Sequence, residues 1–141
     1  MKIVLDTDVM VAALRSRTGA SRQWLKAVLK GEVVLALSVP LVLQYEEVLL
    51  RPQHLKAFGA SKTNVIRLID GLCAVAEPVE IQFLWRPMLR DPGDEMVLEA
   101  AVNSGADYLL TFNEKDFKGA EKLDMTVIRP GEAWKRWKRR H

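Results

Sequence analysis

The sequence predicts an α/β protein, a three-layer α/β/α sandwich around a mainly parallel central sheet of four to five strands. Three observations carry this. Short, largely apolar runs recur at Lys2–Leu5, which holds β-branched residues, and at 33–37, 108–111 and Thr126–Ile128, as in strands buried on both faces. Between them lie segments whose apolar residues return at helical spacing. Proline, glycine and serine stand at the joints, where helices start and stop. Strands alternating with helices favour parallel pairing, and in such sheets sites gather beyond the carboxyl ends of the strands.

The elements follow in order. The first strand stops on Asp6-Thr7-Asp8, and residues 9–14 read as a short helix. Residues 21–30 are helical, with Trp24, Leu25, Val28 and Leu29 on one stripe and Gly31 as the stop. After the second strand, Ser38-Val39-Pro40 opens a helix through Leu50, with proline in a first-turn position, and Arg51-Pro52 ends it. Ser61 caps another helix, whose Val65, Ile66, Leu68, Ile69 and Leu72 keep helical spacing. Residues 94–103 are helical and closed by Gly105. Pro130-Gly131 leads into a terminal helix and basic tail over residues 131–141, where Trp134 and Trp137 share a face expected to dock on the core. No repeat, low-complexity block or linker composition interrupts the chain, so residues 1–141 are expected to form one domain.

Composition narrows the class. With 141 residues and 49% hydrophobic content, the chain can bury enough surface to fold without disulfides or a structural metal. The one cysteine, Cys73, excludes an intramolecular disulfide and reads as a small buried hydrophobe. That usage is compatible with a reducing cytoplasm, the expected location. The start meets Asp6 too early for a signal peptide, and the longest apolar run, residues 33–43, is broken by Ser38 and Pro40, so no membrane segment is expected. Net charge is +3, but the last seven residues hold Lys135, Arg136, Lys138, Arg139 and Arg140 and no acid. A slightly acidic body with a basic tail suits an anionic partner.

Acidic residues cluster at the joints. Asp6 and Asp8 follow the first strand, Gln44-Tyr45-Glu46-Glu47 lies on the helix after the second, Asp91 to Glu95 opens a later helix, and Asn113 to Asp116 follows the third strand with Thr111 just before. Taken singly, these are helix caps, a solvated helix face and a polar turn. Taken together, they are carboxylates that would repel one another unless a cation neutralised them. Oxygen ligands without cysteine or histidine suit Mg²⁺ or Mn²⁺ and not zinc. His54 and His141 lack metal-ligand spacing, and no glycine-rich phosphate loop or Ser/His/Asp arrangement is present. On residues alone, the structural and the metal-site readings both stand.

At these residues the sequence resembles the PIN-domain family, in particular the toxins of VapC-like toxin–antitoxin pairs. The resemblance runs through Ile3-Val4-Leu5-Asp6-Thr7-Asp8-Val9, where the family usually has Asp-Thr-Asn, then Ser38-Val39-Pro40 and Tyr-Glu-Glu-Val-Leu-Leu-Arg-Pro at 45–52. It continues through Arg-Asp-Pro-Gly-Asp-Glu-Met-Val-Leu-Glu-Ala-Ala at 90–101 and Gly-Ala-Asp-Tyr-Leu-Leu-Thr at 105–111, and ends at Asn113 and Asp116-Phe117. The resemblance implies a parallel sheet, a pocket of three or four acids, a divalent metal (Mg²⁺ or Mn²⁺), cleavage of RNA phosphodiesters, an antitoxin partner and a homodimer. It implies metal ligation by Asp6, Asp94 and Asp116, with Thr7, Asp91, Thr111 and Asn113 in support and Asp91 and Glu95 able to act through water. Gln44 stands where the family has its second acid. An amide oxygen supplies no charge, and Glu47, three residues on, returns near the same helix face, so Glu47 is expected to replace it beside a supporting Gln44.

The implied chemistry is attack by a metal-activated water, without a protein nucleophile. Arg15, Arg17, Lys62, Arg67 and the tail are expected to grip the RNA backbone. Two alternatives come from other classes. A catalytically weakened PIN-like module binding an antitoxin or RNA is supported by Gln44. A phosphatase with an aspartate nucleophile is suggested only by the Asp6-Thr7-Asp8 start.

Overall fold

The computed structural model describes residues 1–82, 89 and 91–140. Arg90 of the 90–101 stretch and His141 of the tail lie outside the described residues. Five parallel strands form the sheet, β1 (Lys2–Leu5), β2 (Val34–Leu37), β3 (Glu77–Pro78), β4 (Tyr108–Leu110) and β5 (Thr126–Ile128), in the order β3-β2-β1-β4-β5. Among the described residues seven α-helices flank it: α1 (Thr7–Arg15), α2 (Ala20–Leu29), α3 (Val39–Leu49), α4 (Pro52–Phe58), α5 (Lys62–Val75), α6 (Pro92–Ser104) and α7 (Pro130–Arg140). This is the expected α/β/α sandwich. The chain leaves β1 towards β2 and later returns to β4 on the other side, so the order reverses between β1 and β4. That switch point is where such sheets open a crevice.

Local chemistry accounts for the helix ends. Asp6, Ser38, Ser61 and Asp91 each cap a helix by accepting a hydrogen bond from a following backbone N–H. Gly105 ends α6 in the left-handed conformation (φ 68°), which costs glycine little. Buried Ile3, Val4, Leu5, Leu35, Leu109 and Leu110 fill the sheet, with Tyr45, Leu72, Val97 and Leu98 against it.

Two elements carry no clear sequence signal. β3 has two residues, pairs Ala36 with Glu77 and Leu37 with Pro78, and sits at the edge, where proline is tolerated. α4 begins at the proline that ends α3 and packs on α1 and α3. The terminal helix docks as expected: Trp24 lies 5.0 Å from Trp134 and 5.6 Å from Trp137 between ring centroids, and its Nε1 donates to the Pro130 carbonyl at 2.9 Å. Cys73 corrects an expectation. It is exposed on α5, because Val65, Ile69 and Leu72 already supply the inward face.

Candidate active site

The site begins where β1 ends. Asp6 N bonds the Leu110 carbonyl at 2.9 Å and so extends the sheet contact, after which the chain turns into α1. This buries the Asp6 side chain at 6% exposure. Its Oδ1 accepts from Thr7 N and its Oδ2 from Thr111 Oγ1, each at 2.7 Å. Thr111, wholly buried just past β4, also accepts from Asn113 N at 3.0 Å. Asp8, in the first turn of α1, reaches the same loop: its Oδ2 accepts from Phe112 N and from Asn113 Nδ2, both at 3.0 Å. Arg129 fixes the loop from outside, donating to the Phe112 carbonyl at 3.0 Å and pairing with Glu114 at 2.8 Å. A 3₁₀ turn, Glu114–Phe117, then presents Asp116.

The opposite rim comes from α6 and α3. Asp91 caps α6 by accepting from Gly93 N at 2.7 Å, which leaves Asp94 in the first turn, where the helix dipole favours negative charge. Glu95, buried, accepts from Leu89 N. Gly93 matters for space: a Cβ there would lie 3.0 Å from Gln44 Nε2. Tyr45 places α3 by donating its hydroxyl to the Leu5 carbonyl at the end of β1.

These elements enclose an open cleft of about 480 Å³ at the carboxyl end of the sheet. It is lined by Asp6, Thr7, Asp8, Asp91, Asp94 and Asp116, with Gln44, Gly93 and Asn113, and by Val11, Val48 and His54. Burial, then the charge of Asp8, pushes the Asp6 carboxyl up to about 7 against the hydrogen bonds from Thr111 and Thr7, which lower it. Burial likewise raises Asp8. Asp94 is pushed up to about 6 by burial and by the charges of Asp91, Asp116, Asp8 and Glu95. The carboxylates therefore feel one another across the cleft.

Their oxygens suit a hard divalent cation. Asp8 Oδ1 and Gln44 Oε1 are buried without a hydrogen-bond partner among the described residues, which is costly unless something else binds them. No three His, Cys, Asp or Glu side chains among the described residues are already grouped as a metal cage.

Several expected residues stand elsewhere. Glu47 does not line the cleft; both its carboxylate oxygens accept from Arg51 Nη2 at 2.9 Å on the solvent side of α3. The cleft face of α3 runs through Gln44 and Val48, four residues apart, so it lies on the other side of Gln44 from Glu47. Arg15, Arg17, Lys62 and Arg67 do not line the cleft either. Nor does the basic tail: α7 starts beyond β5 and runs back, bringing Arg136 and Arg140 beside Met1, Asp107 and Thr126 at the amino end of the sheet. Conversely, Asp8 and His54 line the cleft without having been singled out as site residues. Asp8 had a signal, its place two residues from Asp6, but it read equally well as part of a cap. His54 had none, since α4 itself was not legible.

The family profile of the PIN domain matches residues 2–115. The fold is similar to that of a chain in the crystal structure of VapBC2 from Rickettsia felis bound to a DNA fragment from their promoter. There the TM-score is 0.60 at 14% identity, covering 92% of this chain and 98% of that one. It is also similar to a chain in the structure of FitAB bound to an IR36 DNA fragment, with a TM-score of 0.54 at 19% identity, covering 91% and 94%. A comparison with curated protein sequences finds no match. The match over residues 2–115, with a parallel sheet whose carboxyl end bears Asp6, Asp94 and Asp116, makes this chain a member of the PIN-domain family.

Proposed function

We propose that this protein is a Mg²⁺- or Mn²⁺-dependent ribonuclease, the toxin of a toxin–antitoxin pair, acting in the cytoplasm. The observation that carries the reading is the convergence of Asp6, Asp8, Asp94 and Asp116 on one cleft, with Asp6 and Asp94 titrating near neutrality because burial and neighbouring charge disfavour their ionised forms. Bound among them, the cation would neutralise phosphate charge and acidify an attacking water. The protein's part is positional. Thr7 and Thr111 fix both oxygens of Asp6, Asn113 and Phe112 fix Asp8, and the Asp91 cap sets where α6 offers Asp94. Asp8 Oδ1 and Gln44 Oε1 supply further oxygens, so Gln44 rather than Glu47 is the group that α3 contributes.

The antitoxin part of the reading is supported by family membership and by an apolar surface. Val39 (72% exposed), Leu43 and Val75 stand open beside a groove lined by Leu37, Val42, Cys73, Ala76 and Pro78, the kind of patch that marks a protein contact. It also offers a surface for the homodimer. No described helix is long and apolar enough to cross a membrane.

Purified protein should cleave single-stranded RNA with Mg²⁺ or Mn²⁺, lose cleavage with EDTA, and lose it in Asp94→Asn. A second reading, a binding module, is favoured by the uncharged Gln44. It prevails if the folded wild-type protein binds RNA or an antitoxin yet shows no metal-dependent cleavage.

A further inference from the structure

The cleft lining is of two kinds: carboxylates, and the side chains of Val11 of α1, Val48 of α3 and His54 of α4. Among the described residues, His54 is the only side chain lining the cleft that can carry positive charge, and the only aromatic one. Its ring is stacked on Phe58, with centroids 5.9 Å apart and planes 15° from parallel, which fixes its orientation. Phe58 and Leu55 are themselves packed against the core. No hydrogen bond or ion pair engages the imidazole among the described residues. A half-buried aromatic ring, backed by a second ring and flanked by two valines, offers a flat apolar surface. Such surfaces hold nucleobases, because every base has a π-face.

We propose that Val11, Val48 and His54 form the seat of a nucleobase next to the phosphate bound at the carboxylates, with the base stacked on the His54 ring. This rests on the nuclease reading and deepens it by assigning the cleft a nucleoside subsite. The Phe58–His54 stack is extended by one ring, and Val11 and Val48 cover the base edges. The contact tolerates any base and does not depend on the charge of the imidazole. The carboxylates alone could not provide it, since they repel a phosphodiester and offer no flat apolar surface on which a base can stack.

The test uses the full chain with Mg²⁺ and millimolar nucleoside 5′-monophosphates, followed by proton NMR of the imidazoles. The chain has two histidines, and the signals lost in His54→Gln identify those of His54, leaving His141 as an internal control. Nucleotides should move the His54 ring protons upfield by ring current, while ribose 5-phosphate, which lacks the base, should not. His54→Phe should keep nucleotide affinity, and His54→Ala should weaken it about ten-fold, a typical loss for one base–aromatic stack. Equal shifts with ribose 5-phosphate would overturn the proposal in favour of a phosphate contact, and no shift with any nucleotide would overturn it outright. This readout needs no cleavage. The nuclease reading fails separately, if RNA stays intact with Mg²⁺ and Mn²⁺.

Discussion

Thr111 Oγ1 donates a 2.7 Å hydrogen bond to Asp6 Oδ2 across 105 residues of chain. The two residues sit at the ends of β4 and β1, the adjacent strands between which the sheet reverses its order. The bond therefore spans the switch point and ties the two halves of the cleft together. It also opposes the burial that drives Asp6 towards its neutral form.

Removing that donor is the first test. Thr111→Val keeps the shape but leaves Asp6 Oδ2 without its partner, which should raise the Asp6 pKa further. The pH–rate profile of RNA cleavage should move to higher pH, and stability should fall by about 1–3 kcal/mol, the usual cost of an unsatisfied buried group. Thr111→Ser should restore the profile. An unshifted profile in the valine variant would show that the bond is purely structural.

The raised carboxyls also predict how stability without metal depends on pH. Asp6 is raised from 3.8 to about 7 and Asp94 to about 6. Between the ordinary and the raised values the folded chain binds more protons than the unfolded chain, so stability falls as pH rises. The contribution is fully present below about pH 4 and lost as pH climbs through 6 to 7. In EDTA, Tm should drop by roughly 5 °C between pH 5 and pH 8. Asp6→Asn should flatten much of that slope, be at least as stable as wild type at pH 8, and abolish cleavage. Saturating Mg²⁺ should raise Tm more at pH 8 than at pH 5. A Tm that rises with pH in EDTA would contradict the site electrostatics.

Glu47 and Gln44 can be separated directly. Glu47 is paired with Arg51 in solvent, so Glu47→Gln should change cleavage less than about two-fold and stability by no more than an exposed ion pair is worth, about 0–1 kcal/mol. Gln44→Glu adds a charged oxygen at the cleft and should lower the Mg²⁺ concentration needed for half-maximal activity. A sharp loss in Glu47→Gln would mean that α3 rotates on metal binding.

Gly93 tests the placement of Gln44. A methyl group there would stand 3.0 Å from Gln44 Nε2 and 3.1 Å from Asp91 Oδ1, and of the two the longer, more flexible glutamine would yield. Gly93→Ala should therefore weaken Mg²⁺ dependence and cleavage several-fold. Urea denaturation should show stability held or raised by up to about 1 kcal/mol, since alanine favours the helix. Equal losses of stability and activity would point to disruption of the α6 start instead.

The sequence by itself determined the parallel α/β/α class, the capped helices and the positions of the acids. Those features are local: largely apolar runs buried on both faces, apolar residues at helical spacing, and Asp or Ser where backbone N–H groups need a partner. It also determined that Asp6, Asp94 and Asp116 lie at joints that a parallel sheet gathers at one end, and the structure gathers them there. The phase of each helix against its neighbours was decided by tertiary packing. The bond from Tyr45 to the Leu5 carbonyl turns α3 so that Gln44 and Val48, not Glu47, face the cleft. A helix wheel gives angles within α3 but no origin for them. The outward turn of Cys73, the two-residue β3 and the approach of His54 on α4 likewise depend on contacts between segments distant in sequence. So does the direction of α7, which the Trp24–Trp134–Trp137 cluster fixes, carrying the basic tail away from the acids it was expected to serve.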